Sequence, residues 1–96
     1  MSDALPLRMS LLRLLAVSGS ARTGQDLLKE LKTDYGQERQ CNMFVVLDHL
    51  FNMASLGLVG FRNERLLEGG ELAIDFFITA EGRARSKYFP KQWQFN

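Results

Sequence analysis

Apolar residues recur at helical spacing in three stretches of this chain. The first stretch, residues 5–17, carries a stripe of leucines and has Pro6 where the first turn of a helix tolerates proline. The second begins after Thr23, whose hydroxyl can cap a helix with Asp26 as the reciprocal partner of a capping box. The third, residues 39–56, has an apolar half that we expect to face the core, made of Met43, Phe44, Val46, Leu47, Leu50, Phe51, Met53 and Ala54.

The pattern changes from helix to strand after Gly57, a residue suited to the left-handed end of a helix. Residues 58–63 and 71–79 are predicted to form two strands, and buried and exposed positions alternate along the second one. The polar connection between them contains Gly69 and Gly70, which predicts a hairpin loop. Thr79 can cap a short final helix over residues 80–88, before Pro90 ends it.

This order of elements predicts an α+β fold in one domain spanning residues 1–96. A chain of 96 residues with 46% hydrophobic and 24% charged residues fits one compact core. We place that core in residues 5–88 and a tail in residues 89–96. The single cysteine, Cys41, excludes an internal disulfide, and no apolar stretch approaches the roughly 20 residues of a membrane span. We therefore expect a cytoplasmic protein that does not contact a membrane.

The charges are nearly balanced but unevenly placed along the chain. Twelve basic and eleven acidic residues give a net charge of +1, whereas a dedicated nucleic-acid binder usually has a clear basic excess. Residues 40–61 contain no lysine or arginine. Residues 82–96 contain no acidic residue and carry the cations Arg83, Arg85, Lys87 and Lys91.

Three sequence motifs lie at the joints between the predicted elements. The segment Val46-Leu47-Asp48-His49-Leu50 leads into Leu56-Gly57-Leu58-Val59, and the last strand closes with Ile78-Thr79-Ala80-Glu81-Gly82-Arg83-Ala84. The second helix opens with Thr23-Gly24-Gln25-Asp26-Leu27-Leu28. Over residues 9–88 these motifs resemble bacterial winged helix-turn-helix regulators, especially the PadR-like and MarR-like groups.

The resemblance implies a winged helix-turn-helix with three helices, a two-stranded β-hairpin wing and a short C-terminal helix. It also implies a homodimeric transcriptional regulator that binds double-stranded DNA, with the third helix in the major groove and the wing on the backbone or minor groove. Carried onto this chain, the DNA-contacting residues would be Gln37, Arg39, Gln40 and Asn42 at the start of helix 3 and Arg62, Asn63 and Arg65 in the wing. Glutamine and asparagine can pair with adenine, arginine with guanine, and the wing arginines with phosphate.

Each of these DNA-contacting positions also has an ordinary structural interpretation. The polar residues at the start of helix 3 could be solvated side chains of a helix terminus. Arg62 and Arg65 could instead pair with the neighbouring glutamates, and such surface pairs contribute little energy.

A protein-interaction module, an adaptor or an inhibitor of a larger complex, is the alternative function. It is favoured by the small net charge, the cation-free stretch and apolar residues on polar faces. The candidate interface residues are Val45, Phe77, Tyr88 and Trp93. Phe77 could instead be buried under the C-terminal tail. The tail could fold back on the domain, exchange with a partner or touch nucleic acid through charge and stacking.

The sequence predicts no enzyme, cofactor or metal site. It contains no nucleophile–histidine–carboxylate arrangement and no cluster of metal ligands at a supporting spacing. The lone histidine, His49, is expected to be a surface or half-buried residue, and Cys41 a small apolar one.

Overall fold

The computed structural model describes residues 6–35 and 42–95, and it confirms an α+β fold with an antiparallel sheet. Helix α1 spans Leu7–Ser18, strand β1 Arg22–Thr23, helix α2 Gly24–Tyr35 and helix α3 Met43–Ser55. Strands β2 (Val59–Leu66) and β3 (Leu72–Ile78) form the hairpin, and helix α4 covers Ala80–Ala84. Two 3₁₀ turns, Arg85–Tyr88 and Lys91–Trp93, complete the described chain.

The sheet has three strands in the order β1-β3-β2, so the expectation of two strands was wrong. The additional strand, β1, pairs Arg22 with Phe76 and Thr23 with Asp75. Two residues are too few to show an alternating pattern, and their pairing partners lie some fifty positions away. Strand β2 carries a bulge between Arg62 and Arg65, where Asn63 adopts a φ of 62°.

The helix ends follow the local chemistry that the sequence indicates. The Asp26 N–H donates to Thr23 Oγ1 at 3.1 Å, so Thr23 caps α2 as predicted. After the C-terminal end of α3, Gly57 has a φ of 82°, and the Leu58 N–H donates to the Met53 carbonyl at 2.9 Å. This left-handed turn satisfies a terminal carbonyl of α3 and leads the chain directly into β2.

A single hydrophobic cluster joins the three long helices to the inner face of the sheet. Its most deeply buried members are Leu11, Leu15, Leu27, Leu31, Val46, Leu50, Met53 and Phe76. The C-terminal segment belongs to the same cluster, because Phe89 and Phe95 are buried and their rings meet edge to face at 5.1 Å. The Phe95 N–H also donates to Ser86 Oγ. The C-terminal segment therefore folds back on the domain, which is one of the alternatives that the sequence left open.

Thr79 ties the last helix to the turn between α3 and β2. Its hydroxyl donates to the Gly57 carbonyl at 2.6 Å and accepts from the Gly82 N–H at 3.0 Å. Its own N–H donates to the Leu58 carbonyl at 3.1 Å. Gly82 is buried here, and a Cβ on it would overlap the Leu58 carbonyl oxygen. The Thr-x-x-Gly spacing thus fastens α4 against the start of the hairpin.

None of the helices in the described part of the chain is long and apolar enough to cross a bilayer.

Candidate recognition face

The solvent-facing side of α3 and the adjacent side of the hairpin carry large apolar side chains. Phe44, in the first turn of α3, is 80% exposed, while Phe51 and Phe61 are 38% and 45% exposed. The rings of Phe51 and Phe61 meet edge to face at 5.3 Å, and Phe51 also rests on buried Phe76 at 5.5 Å. We call the surface formed by Phe44, Phe51, Phe61, Leu66 and Leu72 the aromatic face.

Phe44 and Phe51 correct the expected orientation of α3. Both were placed on the half that faces the core, but the buried side is centred on Val46, Leu50 and Met53. At 100° per residue, Phe44 lies about 160° from Val46, on the far side of the helix. The apolar half of the wheel is wider than the strip that α1, α2 and the sheet cover.

The aromatic face continues along the hairpin towards its tip. Leu72 and Phe76 lie on the same side of β3 because side chains alternate with a period of two. Leu66 is paired with Leu72, and both leucines are exposed. Exposed large apolar side chains that gather on one side of a domain indicate an interaction site more strongly than singly scattered ones do.

Acidic groups border this face, and cations are scarce around it. Asp48 is exposed one helical turn after Phe44, and α3 contains no lysine or arginine. Near the tip of the hairpin, Glu64, Glu68 and Glu71 are exposed. A surface of this kind suits an apolar partner with basic groups, and it repels phosphate.

The wing residues predicted to contact DNA lie on the opposite side of the sheet. There, Asn63 Nδ2 donates to Asp75 Oδ2 at 3.1 Å, and Arg65 Nη2 donates to Asp75 Oδ1 at 3.2 Å. Arg65 also donates to the Asn63 carbonyl at 2.7 Å. The hydrogen bond from Asn63 lowers the pKa of Asp75, partial desolvation opposes it, and Arg65 adds to the lowering. Arg65 therefore pairs with Asp75, whereas the sequence had offered the neighbouring glutamates as its alternative partners.

Arg62 and Phe77 lie together on that same outer side. The Arg62 guanidinium sits 4.8 Å from the centroid of the Phe77 ring, which is half-buried and covers Gly60. Phe77 is thus not the bare aromatic expected from the sequence. Stacking orients Arg62 but leaves its side chain exposed, so it keeps the capacity to meet an anion.

The remaining predicted site residues are divided between structural and exposed positions. Asn42 caps α3 by accepting the Val45 N–H at 3.0 Å, and Val45 itself is half-buried. Tyr88 is 70% exposed, with Lys87 Nζ 5.3 Å from its ring centroid. Trp93 packs against the core cluster, and Arg13 lies 5.3 Å above its ring. Gln37, Arg39, Gln40 and Cys41 lie outside the described residues.

His49 anchors α1 to α3 through an interaction that the sequence did not indicate. Arg8 Nε donates to His49 Nδ1 at 3.2 Å, which requires that nitrogen to be unprotonated. Burial lowers the pKa of His49 from its ordinary value of 6.5, the charge of Arg8 lowers it further, and Asp48 acts in the opposite direction.

We expect the free energy of unfolding to fall as the pH drops through the range in which His49 would ordinarily titrate. The pKa of His49 is lower in the folded state, so over this pH range the unfolded state binds more protons at His49. The stability that His49 contributes is therefore present above its unfolded pKa and is lost as the pH falls towards its folded pKa. Urea unfolding of the wild type and of His49→Gln at pH values from about 7.5 to about 5.5 measures how steeply the free energy of unfolding changes with pH. The His49→Gln variant should show the shallower slope, and equal slopes would contradict the role of His49.

The geometry brings the predicted wing residues to one side of the sheet, where Asn63 and Arg65 hydrogen-bond to Asp75 and Arg62 stacks on Phe77. It separates them from α3, whose exposed residues include Phe44, Phe51 and Asp48 and, towards its C-terminal end, the neutral Asn52 and Ser55. Within the described ranges, 6–35 and 42–95, no group of three histidine, cysteine or carboxylate side chains could hold a metal ion. The sequence matches no protein-family model, and no curated protein is significantly similar to it.

Proposed function

We propose that this chain is a winged-helix protein-interaction module that binds its partner through the aromatic face. The winged-helix assignment is supported by the order of three helices followed by the β2–β3 hairpin and the short helix α4. It is also supported by Gly57 and Thr79, which join the third helix, the hairpin and α4 at the positions of the family motifs.

The observation that carries this proposal is the exposure of Phe44 on the side of α3 that points into solvent. Burying one such phenylalanine contributes roughly 1.5–3 kcal/mol, and aromatic side chains dominate the energetics of protein interfaces. The same position in a DNA reader would face bases and phosphates. In that position, Phe44 would contribute little to the free energy of binding, and the carboxylate of Asp48 would be repelled by the DNA phosphates.

Affinity capture with a matched pair of surface variants tests the proposal. The immobilised wild-type protein is expected to retain a stoichiometric protein partner from a lysate of its source organism. Phe44→Ser should lose that partner, while Val17→Ser, which changes another exposed apolar residue at the end of α1, should keep it. With the purified partner, calorimetry should give a negative heat-capacity change of binding. Equal capture by Phe44→Ser, or no partner at all, would contradict the proposal.

A homodimeric DNA-binding regulator is the second candidate, and the cationic side chains away from the aromatic face favour it. Arg62 is exposed and oriented by Phe77, and the segment after β3 carries Arg85, Lys87 and Lys91, all exposed. Here phosphate contacts would come from the outer side of the hairpin and the C-terminal segment. Base contacts would come from Gln37, Arg39 and Gln40.

Duplex binding at low and at physiological salt separates the two candidates. If the chain is a DNA regulator, it should bind a mixed-sequence duplex at low salt, with affinity falling steeply as salt rises. Arg62→Ala should then weaken binding several-fold and reduce the salt slope by about one. Lys29→Ala, on the exposed side of α2, is the matched control. Absence of binding even at low salt would exclude this candidate.

A further inference from the structure

The chain carries a pocket whose lining complements the aromatic face. This pocket, of about 170 Å³, lies between α1, the C-terminal half of α3 and the first 3₁₀ turn. Its floor is apolar, formed by Met9, Leu12, Met53 and Phe89, and Arg8 and Arg85 stand at its rim. An apolar cavity of about 150 Å³ accepts a benzene ring, so this volume suits a phenylalanine side chain. We call it the arginine pocket.

We infer that a second copy of this chain binds the aromatic face in a head-to-tail manner. Phe44 of one copy enters the arginine pocket of the next, and Asp48 of the first copy faces Arg8 and Arg85 of the second. This inference rests on the proposed use of the aromatic face in protein binding, and it names the partner.

The spacing of Phe44 and Asp48 fits the two parts of the pocket. Residues four apart on a helix lie about 6 Å from each other on one face, so an inserted Phe44 ring brings Asp48 to the rim. Arg85 is exposed and has no carboxylate partner within the described part of the chain. Arg8 uses its Nε–H for His49, while a guanidinium has five N–H donors in all. Both arginines can therefore meet a carboxylate.

A copy cannot fill its own pocket with its own Phe44. Met53, in the pocket floor, follows Phe44 by nine residues, which is about 14 Å along the axis and half a turn around it. Phe44 and the pocket thus lie on opposite sides of α3 and near opposite ends. Because the two complementary surfaces are at different places, their contact is heterologous and generates rings or open chains of copies.

The distribution of charge supports the same pairing. The aromatic face is bordered by Asp48, Glu64 and the glutamates of the hairpin tip, whereas the pocket is surrounded by cations. Exposed Tyr88 also lines the pocket, and Lys87, whose Nζ is 5.3 Å from the Tyr88 ring centroid, extends the basic surface beyond it. One surface of each molecule is acidic and apolar and the other basic and apolar, so one copy attracts the next in a defined orientation.

Sedimentation velocity over a range of concentrations tests the head-to-tail contact. The wild type at low salt should show a weight-average mass that rises beyond that of two 10.9 kDa copies. Phe44→Ala and Arg85→Glu should each weaken association at least about tenfold. Both residues are exposed, so the variants should remain folded, as circular dichroism checks. Val17→Ala is the control and should associate like the wild type.

Mixing the two defective variants gives the decisive result. Phe44→Ala retains an intact pocket and Arg85→Glu retains an intact Phe44, so together they should form a complex that stops at two chains. The double variant Asp48→Arg/Arg85→Glu should recover association. It restores the ion pair between position 48 of one copy and position 85 of the next, with the two charges exchanged.

Three outcomes would overturn the inference. These are a wild type that stays monomeric at low salt and high concentration, an association that Arg85→Glu leaves unchanged, and a mixture that forms no heterodimer. A monomeric wild type that still captures a different protein, lost in Phe44→Ser, would leave the proposed function standing and reject only the second copy as its partner.

Discussion

Phe76→Ala is expected to lower the free energy of unfolding by about 3–5 kcal/mol. Phe76 is fully buried in the central strand, where its ring lies 5.5 Å from Phe51 and 6.2 Å from Phe61. Removing it leaves a cavity below the aromatic face and takes away the support of both neighbouring rings. Small domains have a total stability of roughly 5–15 kcal/mol, so at the lower end of that range this loss would bring the domain close to unfolding.

Urea denaturation followed by circular dichroism measures this effect. Phe44→Ala removes the same atoms from an exposed position and should change stability by no more than about 0.5 kcal/mol at a concentration too low for assembly. Similar losses for the two variants would contradict the assignment of Phe76 to the core.

Gly82→Ala is expected to destabilise the fold by about 2–3 kcal/mol although it adds a single methyl group. The new Cβ would collide with the Leu58 carbonyl oxygen and with the Ile78 side chain. Because a backbone carbonyl cannot move aside as a side-chain tip can, either α4 must shift or Thr79 must lose its hydrogen bonds. The expected change therefore has the opposite sign to that of helix propensity alone, which favours alanine over glycine by about 1 kcal/mol.

The control for this variant is Gly69→Ala in the hairpin loop. A Cβ at Gly69 has no atom within 4 Å, so its effect on thermal and urea unfolding should be small. A stable Gly82→Ala protein would show that α4 is not fastened to the α3–β2 turn as described.

Periodicity and capping chemistry identified the helices and the hairpin because these signals are local. Thr23, Gly57 and Thr79 each act within a few residues of their own position, and the structure places all three at the predicted joints. Strand β1 was not predicted, because its pairing with β3 depends on the path of α2 and not on the identity of its own two residues.

The candidate site was harder to predict because it depends on which apolar residues other elements leave uncovered. A helical wheel shows that Phe44 is apolar, but only the position of α1, α2 and the sheet shows that none of the described elements packs over it. The partner of Arg65 depends similarly on the bulge at Asn63, which sets the register that brings Asp75 within reach. The sequence left three alternatives for the tail, which were folding back on the domain, exchange with a partner and contact with nucleic acid. The burial of Phe95 favours folding back.

Strand β1 has a consequence for the energetics of any encounter at the aromatic face. It holds β3 on the side away from β2, and Gln25 Nε2 donates to the Leu72 carbonyl at 3.0 Å, so the hairpin is fixed from its base to the start of β3. A partner therefore meets a backbone that is already ordered, and the conformational part of the cost of association is mainly the rotamer freedom of a few phenylalanines and leucines. Removing the Gln25 anchor would raise the entropic cost of binding without altering any contacting side chain.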